Sequence, residues 1–418
     1  MYEDRYGIKE RNKNNLKVVD LFCGAGVGAC GVKLAGYDII YAIDYKDYAV
    51  ETYNKNIGNH AVKLDIRKVS KDDIPDHDLM IATPTCKSFS WAGKNTGFND
   101  KENGDLVYHF FRLLKAKKPK AFLFENVDGM VSKKHKPTFL KLIGDIESIG
   151  YKVNWKVVDC YNYGVPQHRK RLFAVGIRED INKEFEFPKE VAEELKTNIR
   201  YAIGDLPNPD VILNSSKDVK YKSNEKSYID NHIGYGVRKD EEEFINKIPI
   251  GGNWRDLDKE DAKKFLGGAY ESGGGKTGFL RKVNFDNPSF TITSTMNGKN
   301  NAQIIDNQDK YYIGDFSPRY KSRNRQKQWE EPSFTIVSEA RQLPLYPEPK
   351  NYDIREMDKK NGPPPRRFTV RECLRLQTVP DFFKFSDDIS LKNQYERCSG
   401  IPSLMAYKLV IAIEKAIK

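Results

Sequence analysis

Cys86 combines a position and a set of neighbours that suit a reactive nucleophile. It lies in the segment TPTCKSFS, residues 83–90, directly after an apolar run that predicts a buried strand. Side chains at the carboxyl end of a parallel strand face the crevice where open α/β sheets bind ligands, and the neighbouring Lys87 favours the thiolate. Free cysteines are usually buried and inert, but the polar Thr, Lys and Ser neighbours favour a reactive thiol here.

An acid and two arginines further along the chain could hold the substrate of such a thiol. Glu125 follows the apolar run 121–124, and Arg169 and Arg171 lie in the sequence QHRKR, residues 167–171. A carboxylate and a guanidinium together match the hydrogen-bond donors and acceptors on the edge of a nucleobase. Taken singly, the acid could instead cap a helix and the arginines could form a solvated surface.

A glycine-rich turn and two acids predict a nucleotide-like cofactor. The sequence DLFCGAGVG, residues 20–28, lies between a predicted strand and a predicted helix. Glycines there let the backbone approach a ligand, and the helix N-terminus favours negative charge. Asp44 follows the next strand, about twenty residues on, where a carboxylate can accept both ribose hydroxyls. Asp65 follows a third strand-like segment. These residues alone leave NAD and FAD open as cofactors.

Apolar and amphipathic runs alternate in the first half of the chain and predict an α/β fold. Strands that alternate with helices form a doubly wound, mostly parallel sheet with helices on both faces. We expect strands at 17–22, 38–43, 78–83, 121–124, 151–158 and 171–177, and helices at 29–35, 46–56, 106–117 and 138–149.

From about residue 198 the composition changes, which indicates a second, smaller and loop-rich domain. Within it NPSFTI at 287–292 recurs as EPSFTI at 331–336, which we interpret as two similar strand starts rather than a repeat array. We therefore divide the chain into a flexible polar tail (1–15), a cofactor-binding catalytic domain (16–197), the loop-rich domain (198–383) and a C-terminal segment (384–418). The last segment ends in a predicted helix that packs back on the catalytic domain.

The 418-residue chain is basic, with 70 Lys and Arg against 59 Asp and Glu and a net charge of +11. This excess favours a polyanionic partner. The six cysteines form no CxxC pair, so neither a disulfide framework nor a metal site is expected. No apolar run is long enough to span a bilayer, and the N-terminus does not resemble a signal peptide. We expect a cytoplasmic protein with reduced thiols.

Over residues 17–418 the chain resembles the DNA cytosine-C5 methyltransferases, whose motifs occur here in the family's order. These motifs are DLFCGAG at 20–26, the loop around Cys86, ENV at 125–127, QHRKR at 167–171 and RRFTVRECLRLQTVPD at 366–381. The resemblance implies the Rossmann-like fold of class I S-adenosylmethionine-dependent methyltransferases, with residues 198–383 as a target-recognition domain. It also implies S-adenosylmethionine as cofactor and double-stranded DNA as substrate.

The resemblance assigns a catalytic role to four residues. Cys86 would add to C6 of a cytosine that is flipped out of the duplex. Glu125 would bind N3 and the exocyclic amine of that base, and Arg169 and Arg171 would hold the base oxygen and the catalytic loop.

The resemblance also implies a set of cofactor-binding residues. Aromatic rings would pack against adenine, one carboxylate would bind the ribose and another the adenine amine. The set is Phe22, Gly24, Gly26, Asp44, Tyr45, Asp65, Pro84, Lys87, Ser399 and Gly400.

Residues 319–328, RYKSRNRQKQ, carry five basic side chains and no acid. Together with the segment up to residue 335 they are similar to the recognition region of GGCC-reading methyltransferases, which implies a short target with G·C pairs. A strip that binds only phosphates explains the basic residues equally well. The predicted DNA-binding residues are Ser90, Arg319, Lys321, Arg323, Arg325 and Lys327.

Several residues near the reaction centre depart from the family's pattern. Thr85 replaces the usual Pro before the cysteine, Lys87 replaces the usual Gln after it, and Val27 replaces a Gly; SGIP at 399–402 is shorter than the usual Gly-Asn-x-Val-Pro. An ammonium about 5 Å from a sulfonium is repelled by roughly 3 kcal/mol. A carboxylated donor, carboxy-S-adenosylmethionine, would remove this repulsion if Lys87 and Arg397 paired with its carboxylate. The product would then be 5-carboxymethylcytosine.

Three other functions stay open at this point. An RNA cytosine methyltransferase would share the chemistry, and a non-catalytic homologue would bind DNA without a covalent bond. A NAD-dependent oxidoreductase would leave Cys86, Glu125 and Arg169 without a role. We expect a monomeric, nucleoid-associated protein, with a cognate restriction endonuclease as a candidate partner.

Overall fold

Short apolar runs in the first half of the chain form a seven-stranded sheet. The strands are β1 (Lys17–Leu21), β2 (Asp38–Asp44), β3 (Ala61–Lys63), β4 (Leu79–Ala82), β5 (Ala121–Val127), β6 (Tyr151–Asp159) and β7 (Lys170–Arg178). Their order across the sheet is β3-β2-β1-β4-β5-β7-β6. Strands β1 to β5 pair in parallel, whereas β7 is antiparallel to both of its neighbours. The carboxyl ends of β1 to β5 therefore meet at one edge of the sheet.

The computed structural model describes most of the chain around this sheet. The described residues are 4–85, 89, 97, 100, 104–206, 211–214, 219–222, 229–237, 239–271, 279–292, 303–305 and 366–418. The helices are α1 (Val27–Leu34), α2 (Asp47–Asn56), α3 (Leu106–Lys117), α4 (Lys136–Glu147), α5 (Ile199–Ile203), α6 (Lys239–Ile245), α7 (Lys259–Leu266), α8 (Gly268–Glu271), α9 (Val370–Leu376), α10 (Leu391–Arg397) and α11 (Ser403–Ile417).

Side chains that alternate along each strand divide the core into two layers, one on each face of the sheet. In β5, Ala121 and Leu123 point into the layer that contains α1 and α11, and Phe122 and Phe124 point into the layer that contains α3 and α4. Both faces are thus covered, which is why the central strands β4 and β5 are buried along their whole length. The predicted doubly wound α/β fold is confirmed. Strand β3 is the strand-like segment expected before Asp65; it is short, and two of its three residues are exposed.

The second half of the chain forms two small sheets and a separate hydrophobic cluster. One sheet contains β8 (Val211–Asn214), β9 (Val219–Lys222) and β10 (Ile233–Tyr235), and the other contains β11 (Arg281–Lys282), β12 (Gln303–Ile305) and β13 (Arg366–Arg367). The cluster is built around Phe244, Ile248 and Trp254. By contrast, residues 368–417 belong to the same core layer as α1. A loop-rich second unit agrees with these observations, while the limits of the domains stay a prediction.

Residues 4–15 are held against the folded chain, so the expectation of a flexible tail is wrong for them. Ile8 is fully buried. Arg5 forms an ion pair with Asp205 at 2.8 Å, and Arg11 forms one with Glu414 at 2.7 Å. The polar composition of this segment suggested a solvated tail, but its charges have partners on distant elements that the sequence does not reveal.

Five cysteines lie within the described residues, and all five are buried free thiols: Cys23, Cys30, Cys160, Cys373 and Cys398. No group of His, Cys, Asp and Glu in the described ranges could hold a metal ion. Among the helices that the structure describes, none has the length and apolar character needed to cross a membrane.

Helices α1 and α11 touch through their backbones at Gly31. A Cβ atom built on Gly31 would lie 2.0 Å from the carbonyl oxygen of Ser403. Next to it, the Ser403 hydroxyl donates to the carbonyl of Val27 at 2.6 Å. Gly31 therefore sets the distance between α1 and α11, which cover the same face of the sheet.

We expect Gly31→Ala to lower the free energy of unfolding by about 3 kcal/mol. The new methyl group would clash with the main chain of Ser403, which cannot move aside as a flexible side chain does. Gly144→Ala is the matched control: this glycine of α4 is exposed, and a Cβ placed on it would have no described atom within 4 Å. Alanine there should stabilise the helix by up to about 1 kcal/mol. Urea denaturation of both variants measures their free energies of unfolding, and equal effects of the two substitutions would contradict this expectation.

Candidate active site

The turn after β1 has the strained backbone and open space of a ligand cradle. Phe22, Gly24 and Gly26 have φ angles of 63°, 55° and 90°. A Cβ on Gly26 would lie 2.8 Å from Cγ1 of Ile57, so this position requires glycine, whereas no described atom lies within 4 Å of a Cβ on Gly24. A non-glycine residue with positive φ is uncommon and is often retained at functional sites. The space above Gly24 is therefore available to a ligand.

Asp44 places a buried carboxylate beside this turn. Its Oδ2 accepts a hydrogen bond from the Gly24 N–H at 3.1 Å, and its Oδ1 accepts one from the Lys46 N–H at 3.0 Å. An ionised carboxylate can accept about four hydrogen bonds. Acceptor positions therefore remain for a pair of ligand hydroxyls.

Residues at the ends of β2 and β3 extend the pocket. The Tyr45 ring is 57% exposed and is available for stacking. Asp65 accepts a hydrogen bond from the Arg67 N–H at 3.0 Å and lies 3.4 Å from the Arg67 guanidinium. The chemistry of this set, two carboxylates and an exposed aromatic ring, fits an adenosine-type group. The structure thus brings together six of the predicted cofactor residues.

The C-terminal residues of the predicted set reach the same turn. Gly400 packs on Val27 at the start of α1, where a Cβ on the glycine would lie 3.3 Å from Cβ of Val27. Ser399 donates a hydrogen bond to the carbonyl of Glu396 at 3.4 Å. Val27 and Gly400, which are 373 positions apart in the sequence, therefore lie side by side.

Arg397 adds a buried cation to the pocket. Its guanidinium lies 3.9 Å from Oδ2 of Asp44 and donates to the Tyr48 hydroxyl at 3.5 Å. Its Nε is buried and has no hydrogen-bond partner among the described residues. The contact with Asp44 was not foreseen, since nothing in the sequence links a residue of α10 to the end of β2.

Glu125 and Arg171 form a buried ion pair on the adjoining part of the sheet edge. Arg171 Nε lies 3.1 Å from Glu125 Oε1, and both side chains are nearly buried. The antiparallel register of β5 and β7 places Val127 opposite Arg171, which brings the start of β7 to the end of β5. A carboxylate and a guanidinium that already face each other can bind complementary groups of one planar ligand.

Arg169 is buried between the catalytic strands and the second half of the chain. Its guanidinium donates to the carbonyl of Ile292 at 3.2 Å, and its main-chain N–H donates to Oδ1 of Asp159 at 2.9 Å. Oδ2 of Asp159 in turn lies 2.8 Å from Nδ1 of His168. The segment NPSFTI thus supplies a carbonyl that orients a predicted catalytic arginine, a role that its sequence did not suggest.

The segment that leads to Cys86 runs beside Glu125. Asn126 donates its side-chain amide to the carbonyl of Pro84 at 3.3 Å, and the Thr83 hydroxyl donates to the carbonyl of Phe22 at 3.0 Å. Asn126 thus connects β5 to the segment that leads to Cys86, a contact that the ENV motif alone does not reveal. Several predicted residues lie outside the described ranges: Cys86, Lys87, Ser90, Arg319, Lys321, Arg323, Arg325 and Lys327.

A second buried acid lies under the pocket. Asp20 in β1 is buried, and this burial, with a smaller contribution from the Asp44 charge, raises the pKa of its carboxyl to about 8. The neutral acid is therefore the form that the fold accommodates. A protonated Asp20 can lie close to the Asp44 carboxylate without repelling it.

Comparison with known proteins covers nearly the whole chain. The profile described as C-5 cytosine-specific DNA methylase matches residues 16–415. The chain is 31% identical over 409 residues to the type II methyltransferase M.MthTI of Methanothermobacter thermautotrophicus, with 97% of each chain covered. It is 31% identical over 411 residues to the type II methyltransferase M.FnuDI of Fusobacterium nucleatum, with 96% of this chain and 95% of that one covered.

Two solved structures share the fold at low sequence identity. The S. pombe Dnmt2 methyltransferase has a TM-score of 0.56 at 17% identity and covers 96% of this chain and 98% of its own. The Entamoeba histolytica methyltransferase EhMeth has a TM-score of 0.59 at 14% identity and covers 97% and 100%.

We expect Asp20→Asn to change how stability depends on pH. Between the ordinary Asp pKa, about 3.9, and about 8, the folded chain keeps a proton that the unfolded chain has lost. The wild-type free energy of unfolding therefore falls as the pH rises through this window. Asn is an uncharged isostere of the protonated acid, so the variant should lack this decline and be the more stable protein above about pH 8. Urea denaturation of both proteins across this pH window measures the difference. Parallel plots of unfolding free energy against pH would contradict the prediction.

Proposed function

Because the chain belongs to the C-5 cytosine-specific DNA methylase family, we propose that it transfers a one-carbon group to C5 of cytosine in double-stranded DNA. The observation that carries the proposal is the Glu125–Arg171 pair, 3.1 Å apart at the sheet edge beside the segment that leads to Cys86. This pair suits the donor and acceptor edge of cytosine. The net charge of +11 suits a polyanionic substrate.

The donor of this family, S-adenosylmethionine, supplies the electrophilic carbon when it is bound. We infer that Asp44 holds its ribose hydroxyls, that Asp65 holds its adenine amine and that Tyr45 packs against the ring. The spare acceptor capacity of Asp44 and the exposed tyrosine ring support these roles. The open space above Gly24 leaves room for the group.

The chain's own residues then act on the base. The Cys86 thiolate adds to C6 and forms a carbon–sulfur bond, which turns C5 into a nucleophile. Glu125 binds N3 and the exocyclic amine and stabilises the charge that develops on the ring. Arg171 holds Glu125, and Arg169 supports the adjoining chain. After C5 has acquired its new carbon, loss of the C5 proton and expulsion of the Cys86 thiolate restore the aromatic ring.

The target base must leave the duplex for this chemistry, because C5 and C6 are stacked inside it. We propose that residues 319–328 read a short G·C-containing site of the GGCC type, with Ser90 near the flipped base. The relatives are named type II methyltransferases, and this name supports a cognate restriction endonuclease as partner. We infer that the enzyme acts as a monomer.

We expect Glu125→Gln to lower kcat by about 100-fold or more, because the neutral amide cannot balance Arg171 or stabilise the attacked ring. Glu147→Gln, at an exposed acid of α4, is the matched control and should retain wild-type turnover. Turnover on duplex DNA measured by nucleoside mass spectrometry decides the point. Equal activity of the two variants would remove Glu125 from the mechanism.

We expect wild-type protein with its donor to form a covalent adduct with duplex DNA that contains 5-fluorocytosine. Once C5 has acquired the new carbon, fluorine cannot leave as the C5 proton does, so the thiolate stays bound. Cys86→Ala should bind the same DNA and form no adduct. Denaturing gels resolve the two products. No adduct from the wild type would favour a non-catalytic DNA-binding protein, and an adduct only with RNA would favour an RNA cytosine methyltransferase.

A second candidate function uses a carboxylated donor, carboxy-S-adenosylmethionine, and produces 5-carboxymethylcytosine. The observation that favours it is the buried Arg397 Nε, which has no partner among the described residues, while Nη1 of the same guanidinium lies 3.9 Å from Oδ2 of Asp44. A guanidinium with an unused donor suits an additional carboxylate. The substitution of Lys87 for the usual Gln supports the same donor.

Nucleoside mass spectrometry after reaction with each donor separates the two candidates. We expect Arg397→Gln to shift the ratio of kcat/KM values toward the ordinary donor by about tenfold, as the loss of one charge-assisted hydrogen bond predicts. Arg255→Gln, far along the chain in the second half, is the control. Efficient formation of 5-methylcytosine alone, with no response to Arg397→Gln, would exclude the carboxylated donor.

A further inference from the structure

We propose that His135 positions the segment that carries Cys86 relative to strand β5, which carries Glu125; this inference rests on the proposed function. His135 precedes α4 and is 5% exposed. It is not among the residues that the sequence motifs single out. It contacts two described residues of the chain between β4 and α3, Phe89 and Gly97.

The first contact is with Phe89, three positions after Cys86. The Phe89 and His135 rings lie 5.5 Å apart between centroids and meet edge to face at 83°. Phe89 is 1% exposed and belongs to the core layer that also contains Phe124 and Met130. An edge-to-face aromatic contact of this kind fixes both the distance and the angle between two side chains. The position of Phe89 is therefore set by the core and by the imidazole together.

The second contact is with Gly97. A Cβ built on this glycine would lie 2.2 Å from Cε1 and 2.5 Å from Nδ1 of His135, so the imidazole packs directly on the glycine backbone. Gly97 also has a φ of +63°, a conformation that other residues adopt only with strain. Only a residue without a side chain allows this close approach.

Hydrogen bonds connect the surroundings of His135 to the start of α3 on one side and to the turn after β5 on the other. Asp100 N–H donates to Gly97 O and Gly104 N–H donates to Asp100 O, each at 3.1 Å, which connects Gly97 to the start of α3. On the other side, the His135 N–H donates to the carbonyl of Ser132 at 2.9 Å. Ser132 directly follows the short helical turn Asp128–Val131, which comes after β5. The imidazole therefore lies between the element that bears Glu125 and the stretch that bears Cys86.

The packing of His135 matters for the reaction, because the Cys86 thiolate and the Glu125 carboxylate must contact one base from different sides. A displacement of about 1 Å in such an arrangement can cost about 100-fold in rate. His135 is thus a positioning residue, which acts by setting the separation of the two residues that contact the base.

The experiment measures the rate constant of adduct formation with 5-fluorocytosine duplex DNA at saturating DNA and donor. We expect His135→Ala to slow this step by about 10- to 100-fold, while the Kd for duplex DNA and the Kd for the donor stay within about twofold of wild type. Gly97→Ala should slow it as well, and Gly144→Ala is the matched glycine control with wild-type kinetics. His135→Gln provides a second variant if the alanine variant unfolds.

The double variant Gly97→Ala/His135→Ala tests the contact itself. Removing the imidazole frees the space that the new methyl group needs and leaves only the backbone strain of the positive φ, so the double variant should be faster than the product of the two single effects predicts. Multiplied effects of the two substitutions would overturn the proposal. Wild-type adduct rates in folded His135→Ala and His135→Gln proteins would overturn it as well. A wild-type protein that forms no adduct would instead overturn the proposed function, and this inference with it.

Discussion

The parallel pairing of β4 between β1 and β5 is the constraint on which the whole site depends. This pairing aligns Leu21 with Ala82 and Ala82 with Phe124, so β1 and β4 end at one level and β5 continues three residues beyond it. The turn at Gly24 and the segment that leads to Cys86 consequently leave the sheet side by side, next to the ENV motif at the end of β5. Open α/β sheets bind ligands at this edge because parallel strands deliver all their carboxyl ends to it.

The antiparallel β7 adds what a purely parallel sheet would not supply. A parallel strand beside β5 would bring its own carboxyl end to the site edge, whereas β7 brings its first residues there. Arg171 can therefore face Glu125, and Arg169 precedes the strand at the same edge. The arginines also lie where the chain of residues 287–292 arrives, and the Ile292 carbonyl accepts from Arg169. One reversed strand thus joins the catalytic edge to the second half of the protein.

The buried acids of this edge are accommodated in three different ways. Glu125 is compensated by a guanidinium, Asp44 by main-chain N–H groups with Arg397 nearby, and Asp20 by retention of its proton. An uncompensated buried charge would be costly, so each solution determines what the group can do. Glu125 and Asp44 remain acceptors for ligand groups, while Asp20 is a structural acid whose ionisation opposes folding. The N-terminal residues show the same compensation at the surface, since Arg5 and Arg11 form ion pairs with Asp205 and Glu414.

The sequence by itself determined the fold class and the identity of the residues that could do chemistry. Apolar runs of strand length alternate with amphipathic ones, and residues such as Asp44 and Glu125 follow strands directly, so their edge could be predicted without coordinates. Local periodicity carries this information, because it reports which side of each element is buried. Only the tertiary structure decided which of these residues meet. Arg397 approaches Asp44, and His135 packs on Phe89 and Gly97, through contacts between positions that are distant in sequence or not marked by any motif. The packing of residues 4–15 against the folded chain escaped prediction for the same reason. Long-range packing depends on how complete elements fit together, and a pattern of neighbouring residues does not contain that geometry.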